Sequence, residues 1–301
     1  MNKFKLLQIF RSFSLIRELQ SKLIEIYHPE DLMRCPIHFS LGQEALPSCL
    51  AEKIQKKDYL LSHHRSHGYF IAKGGNIKDI VSEFYGKKTG SNSGLAGSQE
   101  LSSVKNNFFS GTILSGMYGI SLGTAYSQKN NNSKNITIAV IGDGGMEEGI
   151  VYETLNIASL MNLPILFICE NNKFSVHTHY NKRTTLNNFK KLAQTFKIKY
   201  TRSNDEKLLN LKMKVDAAYD YVQKIRKPLF FELDTMRICS HVGPEDDDVE
   251  FNYRDNLINL RKKNDPYFRL IKQLTLKFSS KKINEIIKKN RSKVISAINF
   301  S

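Results

Sequence analysis

Residues 136–145 read Ile-Thr-Ile-Ala-Val-Ile-Gly-Asp-Gly-Gly, and residues 165–172 read Ile-Leu-Phe-Ile-Cys-Glu-Asn-Asn. Each is a short apolar run ended by polar or glycine residues, the pattern of a strand buried on both faces. A helix-like stretch, about 147–162, and Pro164 lie between them. The 26 residues from 145 to 170 suffice for the helical crossover that joins two parallel strands. Asp143 and Asn172 therefore fall at the carboxyl ends of successive parallel strands, where open α/β sheets bind ligands. A carboxylate and an amide oxygen are hard donors. With the Phe174 backbone carbonyl as a third, they suit a Mg²⁺ ion that carries a diphosphate. Gly144 and Gly145 let the chain turn closely past the phosphates, and the helix start at Glu147–Gly149 aims N–H groups the same way. Gly-Asp-Gly alone reads as a capped turn and Asn-Asn alone as a loop. Their separation and strand context together carry the metal-diphosphate reading. The glycine spacing is not that of a dinucleotide-binding fingerprint.

Working outward, residues 4–27 place Phe4, Leu7, Phe10, Phe13, Ile16, Leu19 and Leu23 at helical spacing, an amphipathic opening helix. A second helix runs from Leu41-Gly-Gln-Glu-Ala45 to about Gln55, followed by a strand at Tyr59–Ser62 and the segment His63-His-Arg-Ser-His-Gly68. Residues 86–107 are rich in Gly, Ser and Asn, a long loop of the kind that is functional or mobile. After the Asn pair, a helix near 186–196, a strand near 198–201, a helix at 205–225 and a strand at Leu229–Leu233 follow. Strands alternating with helices predict an α/β fold: a doubly wound, mostly parallel sheet with helices on both faces. With no repeat and no linker, residues 1–301 read as a single domain. Its core is about 30–265, with a basic helical appendage at about 266–301.

The chain carries 45 Lys and Arg against 29 Asp and Glu, a net charge of +16. Nucleic-acid binding, steering of anionic substrates and a lysine-rich composition without specific meaning all follow from such a charge. The lysines are scattered and no nucleic-acid motif accompanies them, so nucleic acid is not expected as a partner. No apolar run is long enough to cross a bilayer. The basic N-terminus is interrupted by Arg11, Arg17 and Glu18 and reads as a helix rather than a signal peptide. Cys35, Cys49, Cys169 and Cys239 are widely spaced, as expected for reduced thiols in a cytoplasm. His63 and His67 would share a helix face, yet no Glu or Cys completes a zinc set beside them. Cys239 and His241 are not read as a nucleophile pair.

Several segments, in order, resemble the alpha subunits of thiamine-diphosphate-dependent 2-oxo acid dehydrogenases, over about residues 5–270. They are Leu-Gly-Gln-Glu-Ala (41–45), His-Arg-Ser-His-Gly (64–68), Gly-Lys-Lys-Thr-Gly (86–90), Asn-Phe-Phe (107–109), Gly-Asp-Gly-Gly-Met-Glu-Glu-Gly (142–149), Leu-Pro-Ile-Leu-Phe-Ile-Cys-Glu-Asn-Asn (163–172) and Arg237 to His241. The wording is closest to short alpha subunits, including those of sugar and polysaccharide gene clusters. The resemblance implies that Asp143, Asn172 and the Phe174 carbonyl hold Mg²⁺ and that His64 and Arg65 contact thiamine diphosphate, Arg65 through its phosphates. It places Thr112 and Leu114 at the aminopyrimidine, His241 near the diphosphate and reacting carbon, and His38 and His67 in the substrate cleft. It further implies decarboxylation of a 2-oxo acid and transfer of the acyl group to a lipoyl-bearing acyltransferase. A separate beta subunit would complete an α₂β₂ heterotetramer.

Three departures stand out. Glu100 follows Gly97-Ser98-Gln99 where the family has histidine, Thr112-Ile-Leu-Ser115 replaces a glycine-rich stretch, and Gly119 replaces a common proline. They leave room for a second enzymatic reading, a transketolase-like or carboligase partner in sugar biosynthesis with no lipoyl acceptor. A third is a non-catalytic relative that only binds the cofactor. The acidic run Pro244-Glu-Asp-Asp-Asp248 reads as a solvated loop or, alternatively, a substrate gate.

Overall fold

The computed structural model describes residues 2–27, 33, 35–186, 188–245 and 257–300. Most of the acidic run, residues 246–248, lies outside them. Seven strands form the main sheet: β1 (Tyr59–Ser62), β2 (Ser102–Ser103), β3 (Phe108–Ser110), β4 (Thr137–Gly142), β5 (Ile165–Asn171), β8 (Lys199–Asn204) and β9 (Leu229–Asp234). Their order is β2-β3-β1-β4-β5-β9-β8. Only the β2–β3 pair is antiparallel; β1 pairs parallel with β3 and β4, and β4–β5, β5–β9 and β9–β8 are parallel too. A two-stranded hairpin, β6 (Phe174–Ser175) with β7 (Thr178–His179), stands apart. The doubly wound, mostly parallel α/β architecture expected from the sequence is the one found.

The central strands are buried on both faces, so successive residues serve two cores. Ile138 and Val140 of β4, Leu166 and Ile168 of β5 and Phe231 of β9 join one cluster; Ala139, Ile141, Ile165, Phe167, Cys169 and Phe230 join the other. The second face is covered by α5 (Gly116–Asn130), α6 (Gly149–Leu160) and α7 (Phe189–Thr195), whose Tyr118, Val151, Leu155 and Leu192 pack there. Over the first lie α1 (Lys3–Glu25), α2 (Ala45–Ala51), α4 (Ile77–Phe84) and α8 (Leu208–Ile225). Phe10, Phe13 and Leu19 of α1 are fully buried, as the helical spacing predicted. Asn2 caps α1 by accepting from the Lys5 N–H at 2.9 Å.

At the C-terminus, α9 (Leu257–Lys263), α10 (Pro266–Thr275) and α11 (Ser280–Phe300) follow. Leu270, Leu274, Ile283, Ile286, Val294 and Ala297 pack into the same cluster as β4, while Lys281, Lys282, Lys288, Lys289 and Lys293 face solvent. Arg17 of α1 is buried and binds two carboxylates: Nε reaches Glu44 at 2.6 Å and Nη1 reaches Asp265, the cap of α10, at 2.6 Å.

Several local details differ from the sequence reading, α3 (His67–Ala72), α4, β3 and the β6–β7 hairpin among the elements it lacked. α2 stops at Ala51, because the Lys53 and Ile54 N–H groups both close on the Leu50 carbonyl and tighten the final turn. α6 begins at Gly149, since Asp143–Glu147 is a separate 3₁₀ turn. α5 was not anticipated: Gly116, Gly119 and Gly123 weaken its intrinsic propensity, and packing over β4 and α6 overrides them.

Candidate active site

In this strand order the chain leaves β1 toward β3 and then returns to the other side of β1 with β4. That reversal leaves a crevice at the carboxyl ends of β1 and β4, the topological switch point where such sheets bind ligands. A cleft of about 50 Å³ lies there, lined among others by His64, Leu114, Asp143, Glu170, Asn172 and His241.

Asp143 is 2% exposed. Its Oδ1 accepts the Asn172 backbone N–H at 3.2 Å. The Asn172 Oδ1 accepts the Phe174 N–H at 2.9 Å, and Lys173, at φ 69° in the left-handed region, reverses the chain between them. Asp143, Asn172 and Phe174, the residues expected to supply the donors, thus line one cleft around one turn. Burial raises the Asp143 carboxyl to about 6, against the lowering influence of Arg183. Gly145 is required by close packing: a Cβ there would stand 2.8 Å from Ser115 Oγ.

A histidine cluster adjoins. The His38 ring lies 4.6 Å from His64 and 5.0 Å from His241, edge to face, and His64 lies 5.4 Å from His241. His38 Nδ1 meets Gln99 Nε2 at 3.3 Å. Burial, reinforced by the Arg65 charge, lowers His38 to about 2. Burial, His63 and Arg65 lower His64 as well. These two imidazoles are neutral at physiological pH.

The model of the family described as "Dehydrogenase E1 component" matches residues 14–301, nearly the whole chain. The chain belongs to the dehydrogenase E1 component family. Its relatives include the pyruvate dehydrogenase E1 component subunit alpha of Rickettsia bellii (strain RML369-C), 31% identical over 240 residues that cover 79% of this chain and 73% of the relative. The mitochondrial counterpart of Dictyostelium discoideum is 29% identical over 266 residues, 88% of this chain and 69% of its own. The mitochondrial subunit alpha-1 of Arabidopsis thaliana is 28% identical over 298 residues, 98% of this chain and 75% of its own.

Within this E1 chain the structure brings most expected residues to the cleft but not all. His64, Arg65, Leu114, Asp143, Gly144, Gly145, Asn172, Phe174 and His241 line it, and His38 packs directly behind. His67 does not share it. His67 opens α3 (His67–Ala72), is fully buried, bonds Gln20 of α1 through Nδ1 at 3.1 Å and packs on Phe84. The turn after Arg65 points its ring into the core, so the expectation of a cleft histidine is corrected to a packed one. The zinc arrangement of His63 with His67 fails for the same reason. Thr112 is exposed and lies outside the lining, its hydroxyl donating to Glu100 Oε1 at 2.6 Å. Arg65 is 4% exposed and donates from Nη1 to the Phe39 carbonyl at 2.5 Å and from Nη2 to the His241 carbonyl at 3.0 Å. Arg65 also borders the cleft, where its expected contact with the phosphates would have to be made.

Three features were missed. His63 Nδ1 accepts the Arg65 N–H at 3.1 Å, so Nε2 carries the proton that it donates to Glu170 Oε2 at 3.0 Å. Glu170 could have been suspected, since it precedes the Asn pair at the same strand end. Asn171 turns away from the cleft and donates to Glu232 at 2.9 Å, a consequence of alternation along β5. Arg183 binds Asp143 across 40 residues, and no sequence signal announced it.

Proposed function

We propose that this E1 chain is the alpha subunit of a thiamine-diphosphate- and Mg²⁺-dependent enzyme that decarboxylates a small 2-oxo acid and hands the acyl group to a lipoyl carrier. The observation that carries the reading is the shared placement of Asp143, Asn172 and Phe174 at the switch point, beside the cluster of His38, His64 and His241. The donor set fits the implied metal: a buried carboxylate, an amide oxygen and a backbone carbonyl, with no thiolate or imidazole among them, suit Mg²⁺ that also takes phosphate oxygens. Glu170, buried at the cleft wall and holding His63 through Oε2, adds a further acidic group beside the place a bound group would take.

Thiamine diphosphate, when bound, supplies the electron sink that lets a 2-oxo acid lose carbon dioxide. The protein's part is binding, orientation and proton handling. Asp143, Asn172 and the Phe174 carbonyl would hold the metal; His64, Gly144 and Gly145 would face the phosphates. Thr112 and Leu114 would meet the aminopyrimidine, Leu114 from the cleft wall and Thr112 through its backbone. His241 at the cleft would handle protons, and His38 behind it, held neutral by burial, would serve as a hydrogen-bonding group toward the anionic substrate. The buried Arg65 charge adds a positive field that favours a carboxylate substrate.

An E1 beta subunit would complete each site in an α₂β₂ assembly, and a lipoyl-bearing acyltransferase would receive the product. No described helix is long and apolar enough to cross a membrane. The four free thiols accord with a cytoplasmic enzyme.

A second reading, carboligation with a sugar or aldehyde acceptor, is left open by two departures from the family pattern. The two departures Glu100 and Thr112 are bonded to each other, a polar pair on an exposed face. Reconstitution with an E1 beta subunit separates the readings. Carbon dioxide release with reductive acylation of a lipoyl domain supports the first, and carbon–carbon bond formation without lipoate supports the second. Failure to bind thiamine diphosphate with Mg²⁺ would sink both.

A further inference from the structure

The charge next to Asp143 belongs to the chain itself. Arg183 follows the β6–β7 hairpin, yet its side chain is only 9% exposed, because the guanidinium is inserted among the acidic groups of the 3₁₀ turn. Nη2 donates to Asp143 Oδ2 at 2.7 Å, Nη1 is paired with Glu147, and Nε donates to the Thr178 carbonyl at 2.9 Å. The donor atoms of the metal reading are therefore already engaged. Asp143 Oδ1 takes the Asn172 N–H, Asp143 Oδ2 takes Arg183, and Asn172 Oδ1 takes the Phe174 N–H. A backbone N–H on one carboxylate oxygen is compatible with metal ligation by the other. A guanidinium on that other oxygen opposes it, since two cations within bonding distance of one atom repel strongly in a poorly solvated site.

We propose that Arg183 is a resident cation at this site, competing with the divalent ion for Asp143 and thereby setting the metal affinity of this chain. The inference rests on the metal-site reading above and deepens it. Without metal, Arg183 neutralises two carboxylates that burial would otherwise penalise, and it keeps Asp143 oriented. Metal entry requires the guanidinium to leave Oδ2. Because Nε is tied to the Thr178 carbonyl of β7, that departure loosens the hairpin that also carries Phe174. Metal occupancy and the position of residues 174–183 are thus coupled.

The test uses the reconstituted complex with its beta subunit, stripped of metal, with thiamine diphosphate held constant and Mn²⁺ as the probe. Free Mn²⁺ is followed by electron paramagnetic resonance. Arg183→Gln is expected to bind Mn²⁺ about tenfold more tightly than wild type, the factor that one displaced, partly screened ion pair is worth, while Arg183→Lys stays near wild type. Unchanged or weaker binding by Arg183→Gln overturns the proposal. If that variant fails to assemble, the wild type answers instead. Phenylglyoxal modification of Arg183, read by peptide mass, should accelerate on saturation with Mn²⁺, and an unchanged rate overturns the proposal equally. Asp143→Asn isolates the underlying reading: Mn²⁺ binding that survives it shows the metal to lie elsewhere, whatever Arg183 does.

Discussion

Arg65 Nη2 donates to the His241 carbonyl at 3.0 Å, while Nη1 of the same guanidinium holds the Phe39 carbonyl beside His38. One side chain from the end of β1 thus clamps together two segments, around residues 38 and 241, that are far apart in the chain. The clamp thereby holds the backbones that carry His38 and His241 next to each other. Lys cannot grip two carbonyls with a planar fork. Arg65→Lys is therefore expected to cost about 2 kcal/mol of stability in urea unfolding and to lower kcat, because His38 and His241 lose their fixed spacing.

His241 lines the cleft but supplies none of the proposed metal donors. His241→Ala should lower kcat by about 100-fold, a typical worth of a proton-transferring group. KM and thiamine diphosphate affinity should stay within about threefold of wild type. Steady-state kinetics of the reconstituted enzyme with calorimetric cofactor binding would measure both; a KM effect without a kcat effect would reassign the residue to binding.

Asp143 supplies the only carboxylate of the expected donor set. Asp143→Asn should weaken Mg²⁺-dependent thiamine diphosphate binding by about 100-fold or more, beyond what changes to supporting residues usually cost. Isothermal titration with and without chelator checks it, and wild-type affinity would argue that the turn at 143–147 is only structural.

Burial lowers His38 to about 2 and His67 to about 3, from an ordinary value of 6.5. Folded, both stay neutral; unfolded, both take up a proton as the pH falls below about 6.5. The unfolded state then binds more protons, so stability declines on acidification, by at most about 1.4 kcal/mol per pH unit for each histidine. Urea unfolding at several pH values between 7 and 4.5 should show the decline. His67→Asn, remote from the cleft, should flatten the slope by one proton.

The Arg17–Asp265 pair, 9% and 3% exposed, ties the N-terminal helix to α10. Removing one partner of a buried pair leaves a charge without its neutralising group, although Glu44 remains here. Asp265→Ala is expected to cost about 3 kcal/mol, seen as a lower thermal midpoint with cofactor affinity unchanged.

Much of this was readable in the chain because it depends on local periodicity. The runs at 136–141 and 165–169 gave β4 and β5, and the spacing of Phe10, Phe13 and Leu19 gave α1. The positions of Asp143 and Asn172 at the cleft were legible as well, since a residue just past a parallel strand lies at the carboxyl edge of the sheet. α5 was not, because its glycines argue against a helix that only its packing against β4 and α6 sustains.

By itself the sequence determined which strand ends face the crevice and which residues line it there, because strand geometry converts position along the chain directly into position in space. Only tertiary structure decided what those groups touch. It turned His67 into the core, spent Arg65 on two backbone carbonyls, paired His63 with Glu170 and delivered Arg183 onto Asp143 from 40 residues away. Side-chain direction and ion-pair choice depend on which surfaces meet when helices pack on the sheet, and no periodicity along the chain encodes that meeting.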